Sequence, residues 1–123
     1  MIVLDTTVLI DLLRGNAAAL GYLRSLTEVP ACSEVTRVEV MRGIRHRERE
    51  ATEAFMRSVR WIGVDEQVAR RAGGLGRIWR RSHLIATADL IIAATAQELG
   101  ADLATSNTGH FPMFAGLQPP YEP

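Results

Sequence analysis

Met1-Ile-Val-Leu-Asp-Thr-Thr-Val-Leu-Ile-Asp-Leu-Leu13 drives a short apolar run straight into a carboxylate. Ile2, Val3 and Leu4 are apolar without alternation, and two of them are β-branched, the pattern of a central strand covered on both faces. Asp5 then falls at the strand's carboxyl end, the edge of an open parallel sheet at which ligands bind. Thr6 and Thr7 are each placed to cap Val8 to Leu13 as a short helix. On these residues alone, Asp5 reads equally as a turn or cap residue and as the start of a site.

Outward from that stretch, 123 residues fit one domain, 1–123, with a core that needs no staples. The single cysteine, Cys32, has no intrachain partner and sits in an apolar context, so it is expected to be a buried small hydrophobe in a reducing compartment. No apolar run approaches the roughly 18 residues of a membrane span, and no basic segment leads into one, so a soluble, cytoplasmic protein is expected. The formal net charge of zero argues against a generic polyanion binder. Its distribution matters more: all the basic residues are arginines, and Arg70, Arg71, Arg77, Arg80 and Arg81 fall in an acid-free window from Gln67 to Ala88. The absence of lysine excludes a P-loop lysine and a Schiff base.

Ala17 to Leu26 carries leucines at helical spacing, and Glu28 to Cys32 is a short strand candidate limited by Pro30. Ser33 opens the next helix, in which Val35, Val38 and Met41 form an apolar stripe with Glu39 one position off it. Glu39 there suits a ligand as well as an ion pair with Arg42 or Arg45. Arg45 to Glu53 reads as a solvated helical face, and Trp61 to Val64 as a third strand. Asp65 caps a long helix from Glu66 to about Arg81. Gly73, Gly74 and Gly76 cost that helix roughly 1 kcal/mol each against alanine, so a kink or interruption is expected. Thr87 is a natural cap and Gly100 a natural stop for a helix that is apolar nearly all round, with Asp89 in its first turn. A carboxylate there is stabilised either by the helix amino terminus or by a cation. Asp102 to Thr105 is the fourth strand, followed by the polar loop Ser106 to Pro112. The tail, Leu117 to Pro123, offers at most an edge strand.

Strands alternating with helices imply an α/β sandwich on a largely parallel sheet. In it Asp5, Glu39, Asp89 and Asn107 can approach one crevice. Carboxylates so placed repel unless a cation lies between them. Oxygen donors select a hard ion, Mg²⁺ or Mn²⁺, and His46, His83 and His110 lack the partner spacing of a zinc site. A hard ion with arginines nearby suits phosphodiester hydrolysis. Trp61 and Trp79 read as core or dimer contacts rather than base-stacking platforms, since neither is interleaved with a basic patch on a predicted sheet face, and Phe111 and Phe114 as packing residues that pin the last loop.

Four segments together resemble the PIN-domain ribonucleases, and within them the VapC-type toxins of bacterial toxin–antitoxin pairs. They are Ile2 to Ile10, Ser33 to Gly43, Ala88 to Ala96 and Thr105 to Phe111, in that order and spacing. The resemblance implies a PIN-like three-layer sandwich, a mostly parallel central sheet flanked by helices. It implies metal-dependent RNA cleavage with Asp5, Glu39 and Asp89 as the acidic ligands, a homodimer, and a VapB-type antitoxin whose tail occupies the site. Operator DNA would be reached only through that antitoxin. Where many relatives place a further acid this chain has Asn107, so one well-occupied Mg²⁺ and a weaker or substrate-dependent second site are expected. The competing reading is a PIN-like module that binds RNA or protein without cutting.

Overall fold

A computed structural model describes residues 1–122. The chain runs β1 (Ile2–Leu4), α1 (Thr6–Leu13), α2 (Ala17–Ser25), β2 (Ala31–Ser33), α3 (Glu34–Gly43), α4 (Arg49–Met56), β3 (Arg60–Ile62), α5 (Glu66–Trp79), α6 (Thr87–Leu99) and β4 (Asp102–Ala104). Single 3₁₀ turns occupy His46–Glu48 and Thr108–His110. The four strands form one parallel sheet in the order β3-β2-β1-β4. The chain steps outward from β1 to β3 and then returns to lay β4 on the other side of β1. That reversal makes the β1–β4 junction the switch point, where strand ends diverge into a crevice.

The non-alternating apolar run at Ile2–Leu4 has its expected cause. Val3, paired with Ala31 and Leu103, faces a cluster with Val68, Leu75 and Ile92 of α5 and α6. Leu4, level with Ala104, faces the opposite cluster with Val8, Leu9, Val40 and Met56. Both sheet faces are therefore dry. Cys32 lies fully buried in the second cluster, and desolvation pushes its thiol up to about 12. No described helix is long and apolar enough to cross a membrane.

Several local expectations are corrected. Helix α1 starts at Thr6 with Asp5 as its cap, one residue earlier than a Thr6 or Thr7 cap allows. Strand β2 begins after Pro30, which has no N–H to give a ladder but accepts at its carbonyl from Arg60 N (2.9 Å). On α3 the buried residues are Thr36 and Val40, and Val38 is 62% exposed. The apolar stripe is thus rotated from the expected one, because the helix packs on both α1 and α6. Ala86, not Thr87, caps α6, and its carbonyl accepts from Leu90 N. Gly100 ends the helix at φ 60°, as expected of a left-handed stop. The tail forms no strand among the described residues; Pro123 lies outside them. Instead Tyr121 folds back, its hydroxyl donating to Asp11 Oδ2 (2.7 Å) and its ring 6.0 Å from that of Tyr22.

The three glycines do not interrupt α5, which is continuous to Trp79. Gly76 lets α6 come close: a Cβ there would stand 3.1 Å from Leu90 Cδ1. Gly73 has no such reason, since a Cβ on it meets nothing within 4 Å. Gly73→Ala is therefore expected to stabilise the fold by about 0.5–1 kcal/mol by reducing unfolded-state freedom. A urea midpoint lower than the parent's would contradict this.

Candidate active site

At the mouth of the β1–β4 junction, strand pairing sets Asp5 beside Thr105: Asp5 N donates to Ala104 O (2.8 Å), continuing the ladder. The Asp5 carboxylate is 3% exposed and accepts three hydrogen bonds: Thr6 N at Oδ1 (2.8 Å), and the hydroxyls of Thr7 (2.9 Å) and Thr105 (2.6 Å) at Oδ2. Cap and site residue are one and the same here. The Thr105 hydroxyl gives its proton to Asp5 and accepts from Asn107 N (3.0 Å), so it also fixes the start of the last loop.

Glu39 enters from α3. The Thr6 hydroxyl donates to Glu39 Oε1 (2.6 Å) and lies 3.0 Å from the buried Thr36 hydroxyl. A hydroxyl carries one proton. With that proton spent on Glu39, Thr6 must accept from Thr36, which orders the chain Thr36 to Thr6 to Glu39. Asp89, in the first turn of α6, lies 3.2 Å through Oδ2 from His110 Nδ1. Burial raises the Asp89 carboxyl above its ordinary value; the charge of Asp5 and, more weakly, that of Glu39 push the same way, while His110 opposes them. Thr6 thus bridges Asp5 and Glu39 directly, and the charges of both bear on Asp89.

The donor set is all oxygen from the acids, which fits a hard divalent ion. It is not pre-assembled: among the described residues no three acidic, histidine or cysteine side chains form a ready chelating cluster. Asp5 and Glu39 are turned onto threonine hydroxyls, and Asp89 faces His110.

A family model described as PIN domain matches residues 2–116. The chain belongs to the PIN-domain family. Ribonuclease VapC19 of Mycobacterium tuberculosis is 47% identical over 125 residues, which cover 98% of this PIN domain and all of that protein. Ribonuclease VapC10 of the same organism is 43% identical over 124 residues, 98% of this chain and 93% of its own. Among solved structures, a toxin–antitoxin complex from Klebsiella pneumoniae superposes with a TM-score of 0.87 at 30% identity over 99% of both chains.

Other residues singled out from the sequence separate within this PIN domain. Asn107 is exposed, and its backbone makes its contacts: the N–H donates to Thr105 Oγ1 and the carbonyl accepts from His110 N (both 3.0 Å). The five arginines divide by position along α5 and the turn that follows it. Arg70 pairs with Glu66 and Arg71 with Glu98, near the far end of α6. Arg71 meets Glu98 while Gly76, further along α5, approaches Leu90, earlier in α6, so the two helices run antiparallel and Arg77, Arg80 and Arg81 lie toward the Asp89 end. None of these three has a carboxylate partner among the described residues.

Sequence reasoning missed the hydroxyls of Thr6, Thr7, Thr36 and Thr105 as the groups that orient the acids, and His110 as the neighbour of Asp89. One signal was present: Thr36 precedes Glu39 by three on a helix, so the two share a face.

Proposed function

We propose that this PIN domain is a metal-dependent endoribonuclease, the toxin of a type II toxin–antitoxin pair, with Asp5, Glu39 and Asp89 holding Mg²⁺ or Mn²⁺. The observation that carries the reading is the Thr6 bridge at the strand-end crevice, its N–H on Asp5 and its hydroxyl on Glu39, with Asp89 in the first turn of α6 as the third acid and all the acidic donors oxygen. The full-length similarity to the VapC ribonucleases supports it. When bound, the cation would supply charge neutralisation at the phosphorus oxygens and a more acidic water. The chain's own part is positional. Asp5 is held by its three donors, and Glu39 is aimed by Thr6. Asp89, whose proton competes with a cation, binds it better as pH rises through its elevated pKa. Asn107 adds an uncharged amide at the loop edge, so the catalytic set is Asp5, Glu39, Asp89 and Asn107.

Purified protein is expected to cut RNA with Mg²⁺ or Mn²⁺ and to stop on chelation. RNA that is bound yet stays intact under every metal condition would instead mark a binding module.

Arg77, Arg80 and Arg81 are the arginines we assign to RNA phosphates; Arg70 and Arg71 are held by carboxylates. Neutralising Arg77 and Arg80 together is expected to reduce the salt slope of RNA binding by about 1.4, whereas neutralising Arg70 and Arg71 leaves it unchanged. Equal slopes for the two double variants would defeat this division.

A VapB-type antitoxin is the partner we assign. A groove of about 400 Å³ beside Glu39, lined by Ile10, Leu13, Val40 and Ile44 with Arg14 and Glu48, offers its chain apolar contact next to charge. A homodimer, and contact with operator DNA only through the antitoxin, complete the assembly in a cytoplasmic setting.

A further inference from the structure

The two tryptophans are placed differently. Trp61 packs with the second apolar cluster, donates its Nε1–H to Met56 O (2.8 Å) and lies 4.2 Å beneath the Arg37 guanidinium. Trp79, the last residue of α5, belongs to neither cluster among the described residues and stays half-buried. Its ring meets that of exposed His83, centroids 5.6 Å apart and planes at 79°. The two rings therefore form a corner of aromatic surface.

The turn that carries this corner is tied together by hydrogen bonds. The backbone N–H groups of Ser82 and His83 both donate to Trp79 O (3.0 and 2.9 Å), and the Ser82 hydroxyl donates there too (3.2 Å). Ser82 Oγ also lies 2.8 Å from His83 Nδ1. A fixed platform loses little conformational freedom when a ligand settles on it.

Charge and position point to the ligand. Arg77, Arg80 and Arg81 flank Trp79 in a segment without a single acid. Gly76 packs against Leu90, the neighbour of Asp89, so Trp79 lies about one helical step of 4.5 Å further along at the same end of α6. Aromatic rings set among unpaired arginines beside a phosphodiester site match single-stranded nucleic acid, whose bases are free to stack while its phosphates take the cations.

We propose that the α5–α6 turn is a base-stacking subsite for single-stranded RNA entering the crevice. Trp79 and His83 receive one nucleobase, and Arg77, Arg80 and Arg81 take the adjoining phosphates. The inference rests on the ribonuclease reading for what the crevice does, but the subsite is testable without cleavage. Its rival is a protein interface, since Ile78 and Leu84 on the same turn are 71% and 105% exposed.

The test uses Trp61→Phe protein, in which Trp79 is the remaining indole, in chelating buffer. Two probes of equal length and charge are titrated, a single-stranded oligoribonucleotide and its abasic counterpart. The base-containing strand is expected to quench Trp79 and to bind about five- to a hundredfold tighter than the abasic one. A Trp79→Leu variant of the parent chain, followed by anisotropy of a labelled strand, is expected to lose that preference while keeping its salt slope. Equal affinity for the two probes would overturn the subsite. So would a Leu84→Asp or Trp79→Leu change in assembly mass, by light scattering, with the base preference intact: the turn would then be a protein contact. Base-dependent quenching in a protein that never cuts RNA with Mg²⁺ would uphold the subsite and sink the ribonuclease reading alone.

Discussion

Asp89→Asn is expected to lower RNA hydrolysis by on the order of 10³-fold, the scale on which removal of one charged member of a catalytic set acts. The amide keeps the size of the side chain and an oxygen able to accept from His110, so the loss falls on charge and not on shape. Stability should move the other way. Burial and the charges of Asp5 and Glu39 hold the Asp89 carboxyl above its ordinary value. A raised carboxyl contributes stability that is present below the unfolded-state pKa and is lost as pH rises through the folded one. At neutral pH in chelator, therefore, Asp89→Asn should melt no lower than the parent, and higher if the repulsion is substantial. Added Mg²⁺ should raise the parent's Tm by binding the native state and do so less for the variant. Single-turnover cleavage and paired melting curves measure both sides. Activity within tenfold of the parent would remove Asp89 from the site.

Phe111→Ala is expected to cost about 3–5 kcal/mol, the usual range for emptying a buried phenylalanine site. Phe111 is 1% exposed and packs in the cluster that joins Val3, Leu103 and Ile92. Against a total stability of about 5–15 kcal/mol for a domain, that loss is a large share. It also has a local effect. Phe111 anchors the turn that carries His110 and follows the Thr105–Asn107 contact, so the loop should loosen before the sheet does. Urea unfolding with an unchanged m-value gives the cost. A shift worth less than about 1 kcal/mol would mean that the cluster closes over the gap. Phe111→Leu should recover most of the loss.

The parallel sandwich was legible because its signals are local. An unbroken apolar run forecast a strand buried on both faces, Gly100 forecast a helix end, and Asp65 and Ser33 cap the helices that follow them. The candidate acids could be grouped only through their order along the chain and the resemblance it carries. What orients them was not, because those contacts span distance: Thr105 reaches Asp5 across 100 residues and Thr6 reaches Glu39 across 33. Helix α3 was misjudged by a face, since apolar spacing cannot say that a helix is wedged between two others. Trp79 shows the same limit. In the sequence it resembles any core aromatic, and only the two assembled clusters reveal that neither takes it in. The arginines of α5 and its following turn looked equivalent until the antiparallel run of α6 set Glu98 beside Arg71 and left the last three at the other end.

The placement of β1 between β2 and β4 also has a consequence in time. The strand that leads into Asp5 is made before its partner Asp102–Ala104, and the Thr105 hydroxyl follows Asp5 by 100 residues. At synthesis rates of about 5–20 residues per second, roughly 5–20 s separate the two. Until then Asp5 lacks a neighbour strand on one side, and the last loop has nothing to close against. The surroundings of Asp5 are therefore complete only once β4 and Thr105 have been made and laid beside β1.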